Sequence, residues 1–209
     1  EDFFRGKPEE EAARNAETPP VAEVFDHAMR LGPMLWTRRP EHWNFLAVRL
    51  GTCTLPARNT IAEMDTPDGL PEFIERVDRL QERYAQVDDV PIFELMADAG
   101  SIGIAGPQQL VADAMRGIAV QLFGLHAPND VVSVAFADSA WTAELDWLKW
   151  MPHTSSEKSP FRDVALADSA PTGAALLSML EDYVQRAASG GAESREPRGP
   201  FKDEWNPLL

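Results

Sequence analysis

The sequence predicts an α/β fold, a layered and mostly parallel sheet with flanking helices. Two observations carry that expectation. Short apolar or β-branched runs alternate with stretches whose apolar residues recur every three or four positions, and parallel strands need a crossover that is usually a helix. Near the centre, a strand-like run, a glycine turn and a helix start follow one another at residues 101–112, the layout that phosphate-binding loops use.

Taken in order, residues 1–18 are charged and alanine-rich and read as a linker or a frayed helix. After Thr18-Pro19-Pro20, the residues Val21, Val24, Phe25, Ala28 and Met29 recur at helical spacing, and proline suits a helix start. Phe45 to Leu50 reads as a strand closed by Gly51. Pro71 opens a second helix, with Phe73, Val77, Leu80 and Tyr84 on one face, and Pro91 to Leu95 reads as an edge strand. Ser101 to Ala105 is the apolar run before Gly106-Pro107, and Val111, Met115, Ile118 and Leu122 mark a helix to about Leu125. Val131 to Ala137 is strongly β-prone. A helix with Trp141, Leu145 and Leu148 must stop by Pro152. Val164 to Leu166 is a weaker strand, and Leu176, Leu180 and Val184 ride on a last helix after Pro171. One domain over residues 19–188 follows, with 189–209 a flexible segment rich in Gly, Pro and charge whose last residues, Phe201 and Trp205 to Leu209, could dock on the body.

Nineteen Lys and Arg against 34 Asp and Glu give a formal charge of -15, a field that repels phosphate backbones, so nucleic acid is not an expected partner. The single cysteine, Cys53, cannot form an intrachain disulfide or a Cys-rich metal site. No stretch approaches the roughly 20 apolar residues that a membrane helix needs.

The central layout lacks the chemistry of a working phosphate loop. That motif needs a second glycine, a lysine and a hydroxyl in fixed register, for backbone approach, charge and magnesium. Counted from Gly106, those positions hold Val111, Ala112 and Asp113; counted from Gly103, they hold Gln108, Gln109 and Leu110. Neither register supplies a cation, and Asp113 puts a carboxylate where the metal-ligating hydroxyl belongs. Because phosphoryl transfer depends on positioned charge, ATP hydrolysis is not expected here, nor is a bound cofactor. The plainer reading is a strand-to-helix turn. His27, His42, His126 and His153 have no metal-ligand spacing and read as exposed or capping residues. Ser139 and Ser169, in Ala-Asp-Ser-Ala repeats, lie outside any G-x-S-x-G elbow and mark capped turns.

Several strings resemble one family. Leu35-Trp36-Thr37-Arg38-Arg39-Pro40 and Asn44 to Gly51 are similar to the L-W-x-R-R-P and F-L-x-V-R-x-G signature of EccC/EssC-type FtsK/SpoIIIE proteins of type VII secretion. Asp89 to Ile92, Gly103 to Gly106 and Gln121 to Asp130 resemble the family's D-x-P, G-x-x-G and Q-L-x-x-L-H-x-P-x-D series, and Trp147 to His153 resembles W-L-K-W-L-P-H. These matches run in order over about residues 30–155.

The resemblance implies a degenerate, P-loop-NTPase-like domain between membrane segments and motor ATPase domains. It implies a non-catalytic coupling and interaction role, at the cytoplasmic face of a membrane whose anchoring helices lie outside this sequence. The implied partners are other domains of the same translocase and other secretion components, in a full-length protein that is an ATPase and a homo-oligomer, a hexamer. A regulatory domain that binds ATP without efficient hydrolysis is the alternative. Trp36, Arg38, Arg39, Trp147 and Trp150 are candidate interaction residues. Trp147 and Trp150, three apart, share a helix face that contacts a neighbouring domain or subunit, or else the core. Arg38 and Arg39 pair with an acidic surface or a partner, or stay solvated.

Overall fold

A long, polar helix comes first among the described elements. The computed structural model describes residues 2–60, 70–155, 159, 161 and 165–190. Helix α1 (Asp2–Glu17) lies against strand β2 (Gln86–Leu95), and two of its charged side chains, Glu10 and Arg14, are turned to the body. Glu10 and Arg14, one turn apart and both buried, form an ion pair of 2.5 Å; Arg14 also donates to Pro56 O at 2.7 Å, and Glu10 accepts from Arg58 N at 2.8 Å. Helix α2 (Val21–Arg30) packs on α5 (Gln108–Leu125). Their contact is close because α5 presents glycine: a Cβ at Gly124 would meet Val24 Cγ1 at 2.5 Å.

The expected layered parallel sheet does not form. The described residues hold eight α-helices and two sheets of two strands each. Strand β1 (Ala47–Pro56) pairs antiparallel with β2, and β3 (Ala135–Phe136) pairs parallel with β4 (Leu166–Ala167). Three local causes explain the departure. Helix α3 (Pro71–Tyr84) is not a crossover between parallel strands: β2, which follows it, pairs antiparallel with β1, and of the expected apolar face Phe73 is 57% exposed and Tyr84 is buried. Gly51 does not end β1: it lies at a register shift between Arg49 and Gly51, a bulge that a residue without a Cβ tolerates, and the strand continues to Pro56. The run from Ser101 to Ala105 is an open loop beyond the short helix α4 (Met96–Ala99), so no central strand stands between the two sheets.

The β-prone run of residues 131–137 contributes only two residues to a ladder, because Ser133 N donates to His153 O rather than to a strand. Ala135 N and Ala137 N donate to Ala165 O and Ala167 O at 2.7 and 2.8 Å. Between β3 and β4 lie α6 (Thr142–Leu145), a 3-10 turn (Asp146–Trp150) and α7 (Pro152–Ser155). Asp138 accepts from Ala140 N and Trp141 N in the turn before α6, whose own N-cap, Trp141, makes no side-chain cap, so the Asp-Ser repeat marks a turn here rather than a helix cap. Helix α8 (Ala170–Gly190) buries Leu176 against Val132, Phe161 and Ala167, while Phe123, Leu145 and Leu148 make a second cluster under α5 and Ala57, Val87 and Val90 a third under the ribbon. Val164 and residues 191–209 lie outside the described residues.

Candidate functional site

The phosphate-loop position is open, and it is occupied by its own ion pairs. Residues 103–107 are exposed, and α5 starts at Gln108 with no side-chain cap. Gly106 lies near Val111, whose Cγ2 would be 3.8 Å from a Cβ there. Ala112 is buried in the body. Asp113 takes Arg116 Nη1 at 2.8 Å and Gln109 Nε2 at 3.2 Å, and Arg116 also pairs with Glu144 of α6. Arg116, one turn into the helix from Asp113, is thus held between two carboxylates. A triphosphate would meet Asp113 rather than a lysine, and the strand that would aim the loop is missing.

The arginines and aromatics quoted from the signature strings converge elsewhere, at the ends of two helices. The last carbonyls of an α-helix have no partner within it and need one from outside. At the end of α5, Leu122 O accepts from His126 N at 3.1 Å and from His126 Nδ1 at 2.9 Å. Phe123 O accepts from Trp36 Nε1 at 3.1 Å, Gly124 O from Trp36 N and Leu125 O from Arg38 N, both at 2.9 Å. His126 O in turn accepts from His153 Nε2 at 2.8 Å. Trp36 reaches this position through a left-handed backbone, φ 57°.

At the end of α1 the donors are charged. Arg38 Nη2 donates to Glu17 O at 3.1 Å and Arg49 Nη1 to Thr18 O at 2.7 Å, where cations also complement the negative end of the helix dipole. The other arm of Arg38, Nη1, donates to Ala47 O at 2.6 Å and so ties α1 to β1.

Three buried side chains complete this node: His126 and His153, expected to be exposed or capping, are both buried and cap helix-end carbonyls, and Gln121 joins them. His126 is fully buried: its Nε2 accepts from Leu46 N at 2.9 Å while Nδ1–H donates to Leu122 O, which selects the neutral ring. Burial, opposed by the Leu122 bond and assisted by the nearby Arg38 charge, pulls its pKa from 6.5 down to about 4. His153, also buried, stacks on Phe123 at 4.6 Å, and desolvation lowers its pKa. Gln121 is the third: its amide accepts from Arg49 N at 2.7 Å and donates to Arg49 O at 3.0 Å, acting as a one-residue strand on the free edge of β1. A polar residue on the apolar side of a helical stripe was the signal available for Gln121; for the histidines there was only their position after a helix and after Pro152.

The candidate interaction residues therefore separate. Trp36 and Arg38 are built into the node, and burial pulls the Arg38 pKa down to about 10, which leaves it charged at neutral pH. Arg39 is half-exposed and pairs with Asp130 at 3.0 Å. Trp147 packs edge-on against Phe123 and donates to Glu144 O, whereas Trp150 is 74% exposed with Lys149 over its ring. A cleft of about 220 Å³ lies beside the node, between Glu17, Thr37, Arg38, His42 and Asn44; it is smaller than the roughly 300 Å³ at which ligand pockets begin, and both terminal nitrogens of Arg38 are committed to carbonyls. Among the described residues, no group of three or more His, Cys, Asp or Glu is placed to hold a metal, and no helix is long and apolar enough to cross a membrane.

Fold and site together define a helix-rich domain organised around a buried polar joint. No family model matches the chain. Among curated proteins it is similar to the ESX secretion system protein EccC of Thermomonospora curvata, 28% identical over 83% of this chain and 13% of that protein. It is also similar to the ESX-4 secretion system protein EccC4 of Mycobacterium tuberculosis, 28% identical over 58% of this chain and 10% of that protein. The type VII secretion system protein EssC of Staphylococcus aureus is 23% identical over 66% of this chain and 10% of its own length. The chain thus resembles one segment of EccC/EssC-type proteins, as its motifs indicate, and spans about a tenth of the relatives it matches.

Proposed function

We propose that this chain is a non-catalytic coupling and interaction domain of a type VII secretion translocase of the FtsK/SpoIIIE type, linking membrane segments to motor ATPase domains. The observation that carries the absence of catalysis is Asp113: a carboxylate, already paired with Arg116, stands where a nucleotide-binding loop needs a hydroxyl, next to Ala112 where it needs a lysine. The role in secretion is supported by the relatives, which are secretion system proteins. Coupling is supported by the node at Arg38, where α1, β1 and the end of α5 are joined through charged and backbone hydrogen bonds rather than through apolar contact alone. The partners in this reading are the other domains of the same translocase, in a homo-oligomer at the cytoplasmic face of the membrane. Trp150 and Arg39, and the exposed part of Trp36, are the candidate interaction residues accessible to them.

Calorimetry with ATP and magnesium, together with a phosphate-release assay, tests the reading on the chain itself. No binding in the micromolar range and no turnover are expected. Micromolar binding without turnover would favour a regulatory nucleotide-binding domain, and turnover abolished by a change at Val111 or Asp113 would overturn the proposal. In the full-length translocase, Trp150→Ala should lower secretion while leaving motor ATPase activity in place; unchanged secretion argues against Trp150 as a contact.

A further inference from the structure

Trp150, 74% exposed, ends the 3-10 turn after α6 and stands beside the partly exposed Trp147 and Met151. Carboxylates dominate the polar groups around it. Asp146 opens the same turn, and Glu144 of α6 lies six residues earlier, about 10 Å away at helical rise. Arg116 joins Glu144 to Asp113 of α5. Gln108 Nε2 donates to Ala140 O at 3.2 Å, which brings the start of α5 beside the turn that holds Asp138. Asp113, Asp138, Glu144 and Asp146 therefore share one stretch of surface with Arg116 and Lys149. Both of these cations show how the surface holds positive charge. Lys149 Nζ lies 2.7 Å from each Asp146 oxygen and 5.4 Å from the centre of the Trp150 ring. Arg116 donates to Asp113 at 2.8 Å through Nη1 and to Glu144 through Nη2. A carboxylate has about four acceptor sites, so these pairs leave capacity toward solvent.

We propose that this surface docks a basic segment of a partner protein, whose Arg or Lys side chains meet the four carboxylates while an apolar residue or an arginine packs on Trp150. The proposal rests on the reading of Trp150 as a contact residue and adds the chemistry of what meets it. Charge complementarity selects the occupant. Four carboxylates against two cations leave the surface acidic, and the whole chain carries a formal charge of -15. Nucleic acid, an anionic lipid surface and a second copy of this chain must all approach against that field, whereas a basic segment is drawn in by it. The Trp150 ring already attracts one cation, Lys149, through its face, and an exposed tryptophan offers a second face to a guanidinium or an apolar side chain. Tryptophan and arginine are also the residue types that carry most binding energy at protein interfaces.

Two measurements test this. In the first, a dye-labelled peptide of alternating leucine and arginine pairs is titrated with the full chain by fluorescence anisotropy, beside the same peptide with glutamate in place of arginine. The arginine peptide should bind and the glutamate peptide should not. Trp150→Ala should weaken binding about tenfold, and Asp113→Asn and Asp146→Asn about threefold each. Trp43→Ala and Asp98→Asn, at an exposed tryptophan and an exposed carboxylate elsewhere, should leave it unchanged. No binding of the arginine peptide, equal binding of the glutamate peptide, or equal weakening by both sets of variants rejects the proposal. In the second, Trp150→p-benzoylphenylalanine in the full-length translocase is photo-crosslinked, and the joined segment is identified by mass spectrometry. An adduct on a segment rich in Lys or Arg is expected. An adduct on a neutral or acidic segment, or on a second copy of this chain, rejects the basic partner while keeping Trp150 as a contact; no adduct rejects both.

Discussion

Two adjacent arginines of the same motif should differ sharply in what they contribute. Arg38 is 4% exposed, and its guanidinium donates to Ala47 O at 2.6 Å and Glu17 O at 3.1 Å. In Arg38→Met the stem is replaced by a side chain of similar reach, but the Ala47 carbonyl is left buried without this donor, a loss of about 1–3 kcal/mol. The Glu17 carbonyl keeps Asn44 Nδ2 at 3.4 Å and loses less. Against this, the variant no longer holds a cation whose desolvation lowers its pKa to about 10. The net expectation is a destabilisation of about 2–3 kcal/mol, or about 4–12 °C in Tm for a domain of this size. Arg39, half-exposed in its pair with Asp130, should cost no more than about 1 kcal/mol on change to alanine. Urea unfolding followed by circular dichroism compares the two. If Arg38→Met lies within about 0.5 kcal/mol of the parent, or is no worse than Arg39→Ala, the guanidinium does not cap α1 and the account of the node fails.

Three further expectations follow from the same joint. His126 carries a folded pKa of about 4 against 6.5, so between those values the unfolded chain binds more protons: stability is full above pH 6.5, falls as pH drops toward 4, and loses about 3 kcal/mol from this group. His126→Gln should flatten that slope in unfolding measurements across pH 7 to 4, and an unchanged slope refutes the assignment. Gly124→Ala places a Cβ 2.5 Å from the stiff, buried Val24 and should destabilise by about 1–3 kcal/mol, whereas Gly117→Ala meets Val21 at 3.9 Å and should stabilise by about 0.5–1 kcal/mol through helix propensity; thermal melts of the pair must move in opposite directions. Gln121→Met removes both partners of Arg49's backbone and should cost about 2–4 kcal/mol, with faster amide exchange at Arg49 as its local signature.

The strings that carry the resemblance acquire a physical meaning at this joint. Trp36 and Arg38 supply donors to the terminal carbonyls of α5, His126 continues that cap, and His153 caps His126 in turn. Arg38 and Arg49 do the same for α1. A helix end that must be buried requires partners of fixed geometry, so motif residues spread over more than a hundred positions meet within a few ångströms. In this chain they hold elements in register; of the candidate set, Arg39 and Trp150 are accessible, and Trp36, though its indole nitrogen is committed to Phe123 O, keeps part of its surface exposed.

Local signals set by the sequence alone held where local physics decides. Pro20, Pro71 and Pro107 each precede or open a helix because proline's fixed φ suits that position. The pattern of residues 111–125 forms α5, and the misfit of Val111, Ala112 and Asp113 with phosphate chemistry is a matter of residue type, readable without coordinates. Sheet architecture was not readable in that way. Whether a β-prone run becomes a strand depends on a second run being brought beside it, and that is a long-range event: residues 101–105 find no partner, residues 131–137 pair over two positions, and β1 meets β2 antiparallel. Burial of polar groups is likewise decided in three dimensions. Arg38 and Arg39 are the same residue type side by side, and only the position of two helix ends makes one a buried cap and the other a surface ion pair.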